Sequence, residues 1–355
     1  WVTTSDNYNI RIGVSGTYDC RIDWGDGNKE TFRGSPSFIE HVYTTAGTYT
    51  VSITGKFPRI YMGRNGSTRG NLRKVLDLGD VGWTSWFNAF GFCSSLSSIY
   101  RTPGLPNVAS SSFEKFLISA SSIKSIPPLK DMVDTITSFF YCFRRNYQLV
   151  EVDTRGVNCH FTSGSALYIA FNSASKLERV LGADNWILGS ANRIDQMARG
   201  CSRLEEFGTA NWNTTNLRYW ANAFGSCYNV KIDYRNWNIS RADNLGFLSD
   251  TLRDDDIWSD ALIYWATLNF TKIVGIRSPG NGSCKFRKDA IWAREKLKLT
   301  RTIIDAGPQE EFTSLDLVVN VTNQNSFTLP AENIGTYDAT IDWGDGTTSS
   351  ITSYN

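Results

Sequence analysis

The chain has 355 residues, 41% of them apolar, with 12 Trp, 15 Tyr and 20 Phe, and a net charge of +1 from 36 basic and 35 acidic side chains. That length predicts two or three domains and a core large enough to need no disulfide staples. Near-neutral charge excludes the basic footprint of a nucleic-acid binder, and no apolar run approaches the roughly 20 residues that span a bilayer, so the chain reads as soluble, with no nucleic-acid partner and no membrane segment.

From Tyr8 to Gly55 short strands alternate with turns: apolar residues at every second position in Ile10-Ile12-Val14, Cys20-Ile22-Trp24 and Tyr49-Val51-Ile53 predict half-buried strands. In "IDWGDG" (22–27), Gly25 and Gly27 permit the positive φ of a tight turn, and Asp23 and Asp26 are placed to accept backbone amides. The same six letters return at 341–346, where Asp342, Gly344, Asp345 and Gly346 repeat the turn, and a constant offset of 319 also superposes Gly16-Thr17-Tyr18-Asp19 on Gly335-Thr336-Tyr337-Asp338. The two ends read as homologous, the second copy stopping short, as in a piece of a longer and possibly tandem protein. Paired carboxylates beside glycines also suit calcium, but two Asp fall short of its 6–8 oxygen ligands, so no metal or cofactor is expected, with calcium as the alternative. His41 is expected to be structural.

"DWGDG" followed by "HVYTTAGTYTV" resembles the PKD domain, an Ig-like sandwich of extracellular proteins; Cys20 departs from the hydrophobe expected on that strand. The resemblance implies a β-sandwich at each end and a place outside the cell.

Between 70 and 255 a repeat emerges on the anchors Leu96, Ile123, Leu149, Leu177, Leu204 and Val230, spaced by 26 to 28 residues. Three residues earlier stand Cys93, Ala120, Asn146, Ala174, Cys201 and Cys227; six earlier stand Phe90, Leu117, Phe143, Phe171, Ala198 and Phe224. Columns at −6, −3 and 0 have helical spacing and predict helices over 86–96 and 216–230. A short strand is expected after each anchor, directing Ser98, Tyr100, Ser125, Glu151, Asp153, Arg179, Glu206 and Tyr234 outward to pave one continuous face, the candidate binding surface. No unit of this size buries its own apolar face, so stacking must create the core. The pattern F-x-x-C-x-x-L-x-x-[IV], with Asn-Trp at 185–186, 211–212 and 236–237, resembles the BspA-like leucine-rich repeats of bacterial surface proteins and phage tail proteins.

Seven Cys is an odd count with no CxxC. Three of them, Cys93, Cys201 and Cys227, share the inward −3 column and read as buried fillers, with a Cys201–Cys227 bridge between adjacent turns as the alternative. Beyond the repeat, "SDALIYWATL" predicts a helix capped by Ser259, "KIVGI" a strand and "KDAIWAREKLKL" a second helix, together a cap on the stack. Asp254-Asp255-Asp256 reads as a helix entry rather than a metal cluster.

The expected architecture is therefore multidomain: a PKD-like sandwich (1–56), a linker (57–69), an α/β leucine-rich-repeat solenoid (70–255), a capping α/β segment (256–312) and the first half of a second sandwich (313–355). No nucleophile with its base and no phosphate-cradling loop is found, so no catalytic residue is expected. The expected function is a non-catalytic, extracellular structural or adhesion module on a cell or virion surface, binding a protein or glycan or copies of itself in a fibre. Its alternatives are a phage tail fibre and the accessory region of a secreted hydrolase.

Overall fold

The computed structural model describes residues 1–243, 250–270 and 275–309, with the backbone of 339–342 and 348–351. Trp1–Glu311 and Phe312–Asn355 form two separate compact units.

Alternation builds the first sheets. Strands β1 (Val2–Thr3), β2 (Tyr8–Gly13), β3 (Tyr18–Asp23), β4 (Lys29–Gly34), β5 (Phe38–Tyr43), β6 (Gly47–Thr48) and β7 (Ser52–Lys56) pair antiparallel as β1-β6, β2-β5 and β4-β3-β7. Every second residue of β2 and β3 turns inward, so Ile10, Ile12, Val14, Cys20, Ile22 and Trp24 are buried, and the Tyr43 hydroxyl on β5 donates to the Trp24 carbonyl at 2.8 Å.

In the repeat, the backbone is organised by one recurring turn. Eight residues before each anchor, Asn88, Lys115, Tyr141, Ile169, Gln196 and Asn222 all have φ between 51° and 58°. Four residues before it, Phe92, Ser119, Arg145, Ser173, Gly200 and Ser226 are again left-handed. Alternating right- and left-handed residues turns successive amide groups the same way. The −6 amides accordingly donate to the following rung: Phe90 to Phe116 O at 2.9 Å, Leu117 to Cys142 O at 3.0 Å, Phe143 to Ala170 O at 2.7 Å, Phe171 to Met197 O at 2.7 Å and Ala198 to Ala223 O at 2.7 Å. The −4 amides do likewise, from Phe92 to Ile118 O at 2.6 Å through Gly200 to Gly225 O at 2.7 Å, and the last, Ser226, donates to the Asp250 carboxylate at 2.8 Å.

Two expectations fail here. Among the described residues between 70 and 254 there is no α-helix, so the predicted helices over 86–96 and 216–230 do not form. Their amides are spent on the next rung, and the bonds that remain within a rung span three residues, as in Cys93 N to Phe90 O at 3.2 Å and Leu96 N to Cys93 O at 3.0 Å. The α/β leucine-rich-repeat solenoid is likewise corrected, because no continuous sheet runs along the repeats. Strands β8 (Lys74–Val75), β9 (Ser98–Ile99), β10 (Val108–Ser112), β11 (Val133–Ser138), β12 (Glu151–Asp153), β13 (Asn158–Cys159), β14 (Arg179–Leu181) and β15 (Glu206–Phe207) make three separate parallel sheets, β8-β9, β10-β11-β13 and β12-β14-β15.

The inward columns nevertheless meet. Phe90, Leu117, Phe143, Phe171, Ala198 and Phe224 are fully buried, with Phe143 stacked on Phe171 at 5.4 Å and Phe207 against Phe224 at 5.4 Å. Removing one such ring to Ala costs about 3–5 kcal/mol. Beside them the Asn-Trp elements stack Trp186, Trp212 and Trp237 at 6.0 and 5.8 Å, and each indole N–H reaches back to the preceding rung, Trp212 to Ala183 O at 2.8 Å.

Helix α1 (Asp255–Trp265) continues this column, since the Trp265 indole donates to Trp237 O at 2.9 Å. Its N-cap is Asp254, whose carboxylate accepts Ile257 N at 2.7 Å, so the acidic run is a helix entry. The expectation that Ser259 caps it is wrong by a turn: Ser259 is buried within α1, donating to Asp255 O at 2.7 Å and accepting Arg287 N at 3.0 Å. The turn α2 (Pro279–Gly282) follows strand β16 (Ile276–Arg277), and helix α3 (Ile291–Lys298) leads to strand β17 (Ile303–Ile304), which pairs parallel with β16.

In the second unit, β18 (Ala339–Asp342) pairs antiparallel with β19 (Thr348–Ile351), Asp342 opposite Thr348. This reproduces β3 and β4, where Asp23 lies opposite Lys29. Gly344, Asp345 and Gly346 lie outside the described residues.

Left-handed backbone costs an L-residue about 1–2 kcal/mol, which glycine escapes. Ser119→Gly should therefore match or exceed the parent in urea unfolding, whereas Ser119→Val should lose about 1–2 kcal/mol. Equal stability of the two variants would contradict the turn geometry.

Candidate functional site

Nine residues before the first four anchors, one step ahead of the left-handed residue, stands a half-buried side chain, and the same position in the fifth rung holds the buried Asp195. The column runs Phe87, Glu114, Phe140, Tyr168 and Asp195, and the Tyr61 ring adjoins its first member. Its aromatic members are half-buried and adjoin along the stack: Tyr61 to Phe87 at 6.1 Å, Phe140 to Tyr168 at 6.0 Å, and Tyr141 at 4.6 Å from Phe140 and 5.6 Å from Tyr168.

Cations lie on these rings. Lys115 Nζ stands 5.7 Å from the Phe140 ring and 3.4 Å from Glu114. Arg193 stacks on Tyr168 at 3.8 Å and reaches Tyr219 at 5.4 Å; both arms of its fork are held by the buried Asp195 at 2.7 Å, which raises the guanidinium pKa. Arg218 sits 5.3 Å from the Tyr219 ring and donates to Asp243 at 2.8 Å. The result is a fixed strip of ring faces and planar donors along several rungs, suited to holding an extended ligand by stacking and hydrogen bonding.

The residues singled out from sequence lie elsewhere and do not form one surface. Ser98 on β9 pairs with Lys74 and bridges to Ser125, and Tyr100 beyond it is 54% exposed. Glu151, Arg179 and Glu206 align across β12, β14 and β15, with Arg179 donating to Glu151 at 2.9 Å. Asp153 receives the Arg155 fork, which holds its carboxyl below the ordinary range. Tyr234 is a correction: it is 1% exposed, stacked on Trp265 at 6.0 Å, and burial drives its phenol far above the usual pKa. No strand forms between 230 and 243, so alternation does not turn it outward.

At the glycine turn, Asp23 accepts Gly25 N and Asp26 accepts Asn28 N, each at 3.0 Å. His41 has partners that the sequence did not disclose. Its Nε2 lies 2.8 Å from Asp26, its Nδ1 3.1 Å from Glu30, and its ring stacks on Trp24 at 4.6 Å. Lys29 engages Asp23 at 2.7 Å, so these carboxylates are occupied by side chains. Among the described residues no group of three or more His, Cys, Asp or Glu is placed to hold a metal ion, and no helix is long and apolar enough to cross a membrane. A separate apolar cleft of about 590 Å³ lies between 48–53 and 72–83, lined by Tyr49, Val51, Ile53, Val75 and Trp83.

All seven Cys are buried free thiols, and Cys201 and Cys227 are not bridged. The −3 column has a polar use: Cys201 donates to Phe171 O at 3.2 Å, Cys227 to Ala198 O at 3.1 Å, and Asn146 to Leu117 O at 2.8 Å, each reaching the −6 carbonyl of the preceding rung. Burial pushes Cys159 and Cys227 up to about 12, removing the thiolate that nucleophilic chemistry needs.

A thiol-specific disulfide reagent at mildly alkaline pH should label no Cys in the native chain and all seven in concentrated guanidinium; rapid labelling of native Cys201 or Cys227 would contradict this packing. In comparisons with family models, curated proteins and solved structures, nothing matches the chain.

Proposed function

We propose that this chain is a non-catalytic adhesion module that acts outside the cell and binds an extended glycan along the aromatic and guanidinium strip. The observation that carries this reading is the continuity of Phe140, Tyr141, Tyr168, Arg193 and Tyr219, joined ring to ring or ring to guanidinium over four rungs. Pyranose rings present flat C–H faces to aromatic rings, and their hydroxyls bond to planar donors and carboxylates. Both partners of such contacts recur along the strip, where Asp195 fixes Arg193 before any ligand arrives, which lowers the ordering cost of binding. The likeness of both chain ends to PKD domains supports an extracellular place.

A tandem-array reading rests on a different observation. Asp342 opposite Thr348 reproduces Asp23 opposite Lys29 at an offset of 319, as a parent built from repeated units, such as a fibre or stalk, requires.

Affinity electrophoresis tests the glycan reading. The full chain is run in gels containing dextran, mixed-linkage β-glucan, polygalacturonate or dextran sulfate. At least one polymer should retard it, and Tyr168→Ala and Tyr219→Ala should each weaken that retardation about fivefold, the loss expected for one stacked ring. Absence of retardation by every polymer, or retardation indifferent to both substitutions, would overturn the reading.

A further inference from the structure

At the amino-terminal end of the −9 column, Arg59 lies 5.0 Å from the Tyr61 ring and 5.1 Å from Phe87, and Arg64 lies 5.0 Å from Tyr61; close by in sequence, Arg69 lies 4.6 Å from Phe92 at −4 of the same rung as Phe87. All three are half-buried. Among the described residues none of them has a carboxylate within ion-pair distance, although their neighbour Arg11 has Glu40 at 3.0 Å and the strip's own Arg193 has Asp195. Their protein hydrogen bonds are single and long: Arg59 to Phe87 O at 3.3 Å, Arg64 to Val14 O at 3.4 Å and Arg69 to Gly63 O at 3.4 Å.

Partly desolvated charge of one sign, uncompensated, is costly, and buried polar groups without partners need an explanation. Here three such atoms fall within nine residues: Arg59 Nε, Arg64 Nε and Ser67 Oγ are buried and unbonded. Burial, with Arg64's charge adding to it, pulls Arg59 below its ordinary pKa. Beyond those single bonds, the remaining Nη hydrogens are left as donors for an external anion. Guanidinium forks match planar or tetrahedral oxyanions, and the rings beneath them offer the stacking that the rest of the strip provides.

We infer that Arg59, Arg64 and Arg69 form an anion subsite of the strip, so that the glycan bound is acidic, carrying carboxylate or sulfate groups. The inference rests on the glycan reading above and narrows it to a substrate class.

Dissociation constants of the full chain are measured for dextran, dextran sulfate and polygalacturonate. The parent should bind at least one charged polymer about tenfold or more tightly than dextran, and which one distinguishes sulfate from carboxylate. Combined Arg59→Met, Arg64→Met and Arg69→Met substitution, which keeps the stems over the rings, should erase that margin. Arg33→Met, on the far-exposed Arg33–Asp19 pair, should preserve it. If the triple variant fails to unfold cooperatively, Arg64→Met and Arg69→Met singly should each reduce the margin about threefold or more. Absence of a margin, or a margin intact in the arginine variants, would overturn the anion subsite. Where Tyr168→Ala still weakens binding, the glycan reading survives that result; where it does not, both fall.

Discussion

The repeat depends on a backbone constraint, the left-handed residue at −8 and again at −4, which turns the amides of each rung towards the carbonyls of the next. Each such bond contributes only about 1 kcal/mol, but several recur per rung and they fix the register of everything else. With the amides committed between rungs, no helix can form, and the side chains at −6, −3 and 0 close on the axis in steps of three. The buried thiols follow from the same geometry: the −6 carbonyl faces the next rung's −3 side chain, and Cys201, Cys227 and Asn146 donate to it.

That constraint also produces the surface. A left-handed residue reverses the chain sharply, so in the first four rungs the −9 side chain just before it stays half-buried at the surface while the −6 side chain turns in. Stacking at a fixed register then aligns outward residues of successive rungs, and Phe140, Tyr168 and Arg193 meet although 25 to 28 residues separate them in sequence. Binding preorganisation is thus inherited from the core, with Asp195 adding the final restraint on Arg193.

What could be read from sequence was periodicity. The anchors, the inward columns and the acid-glycine turn depend on residue type at a spacing, and Phe90, Phe171 and Phe224 are buried where that spacing places them. Handedness was not legible, because three-residue spacing suits a helix and a chain of turns equally, and beside Asn88, Asn222 and Gly200 the left-handed positions hold residues such as Ile169, Tyr141 and Lys115, which do not signal positive φ. Tyr234 was misplaced because the alternation does not continue beyond β15, the last strand of the repeat. The strip has its signal in the aromatics at −9, Phe87, Phe140 and Tyr168, outside the short strand that follows each anchor. His41, Asp26 and Glu30 are brought together by pairing across sheets, which spacing along the chain does not encode.

Residue-resolved amide hydrogen exchange tests the inter-rung ladder most directly. The account predicts that the amides of Phe90, Leu117, Phe143, Phe171 and Ala198 exchange slowly and together, opening only with the whole stack. Exchange at these five as fast as at the exposed Gly27 turn, or at unrelated rates from rung to rung, would contradict it.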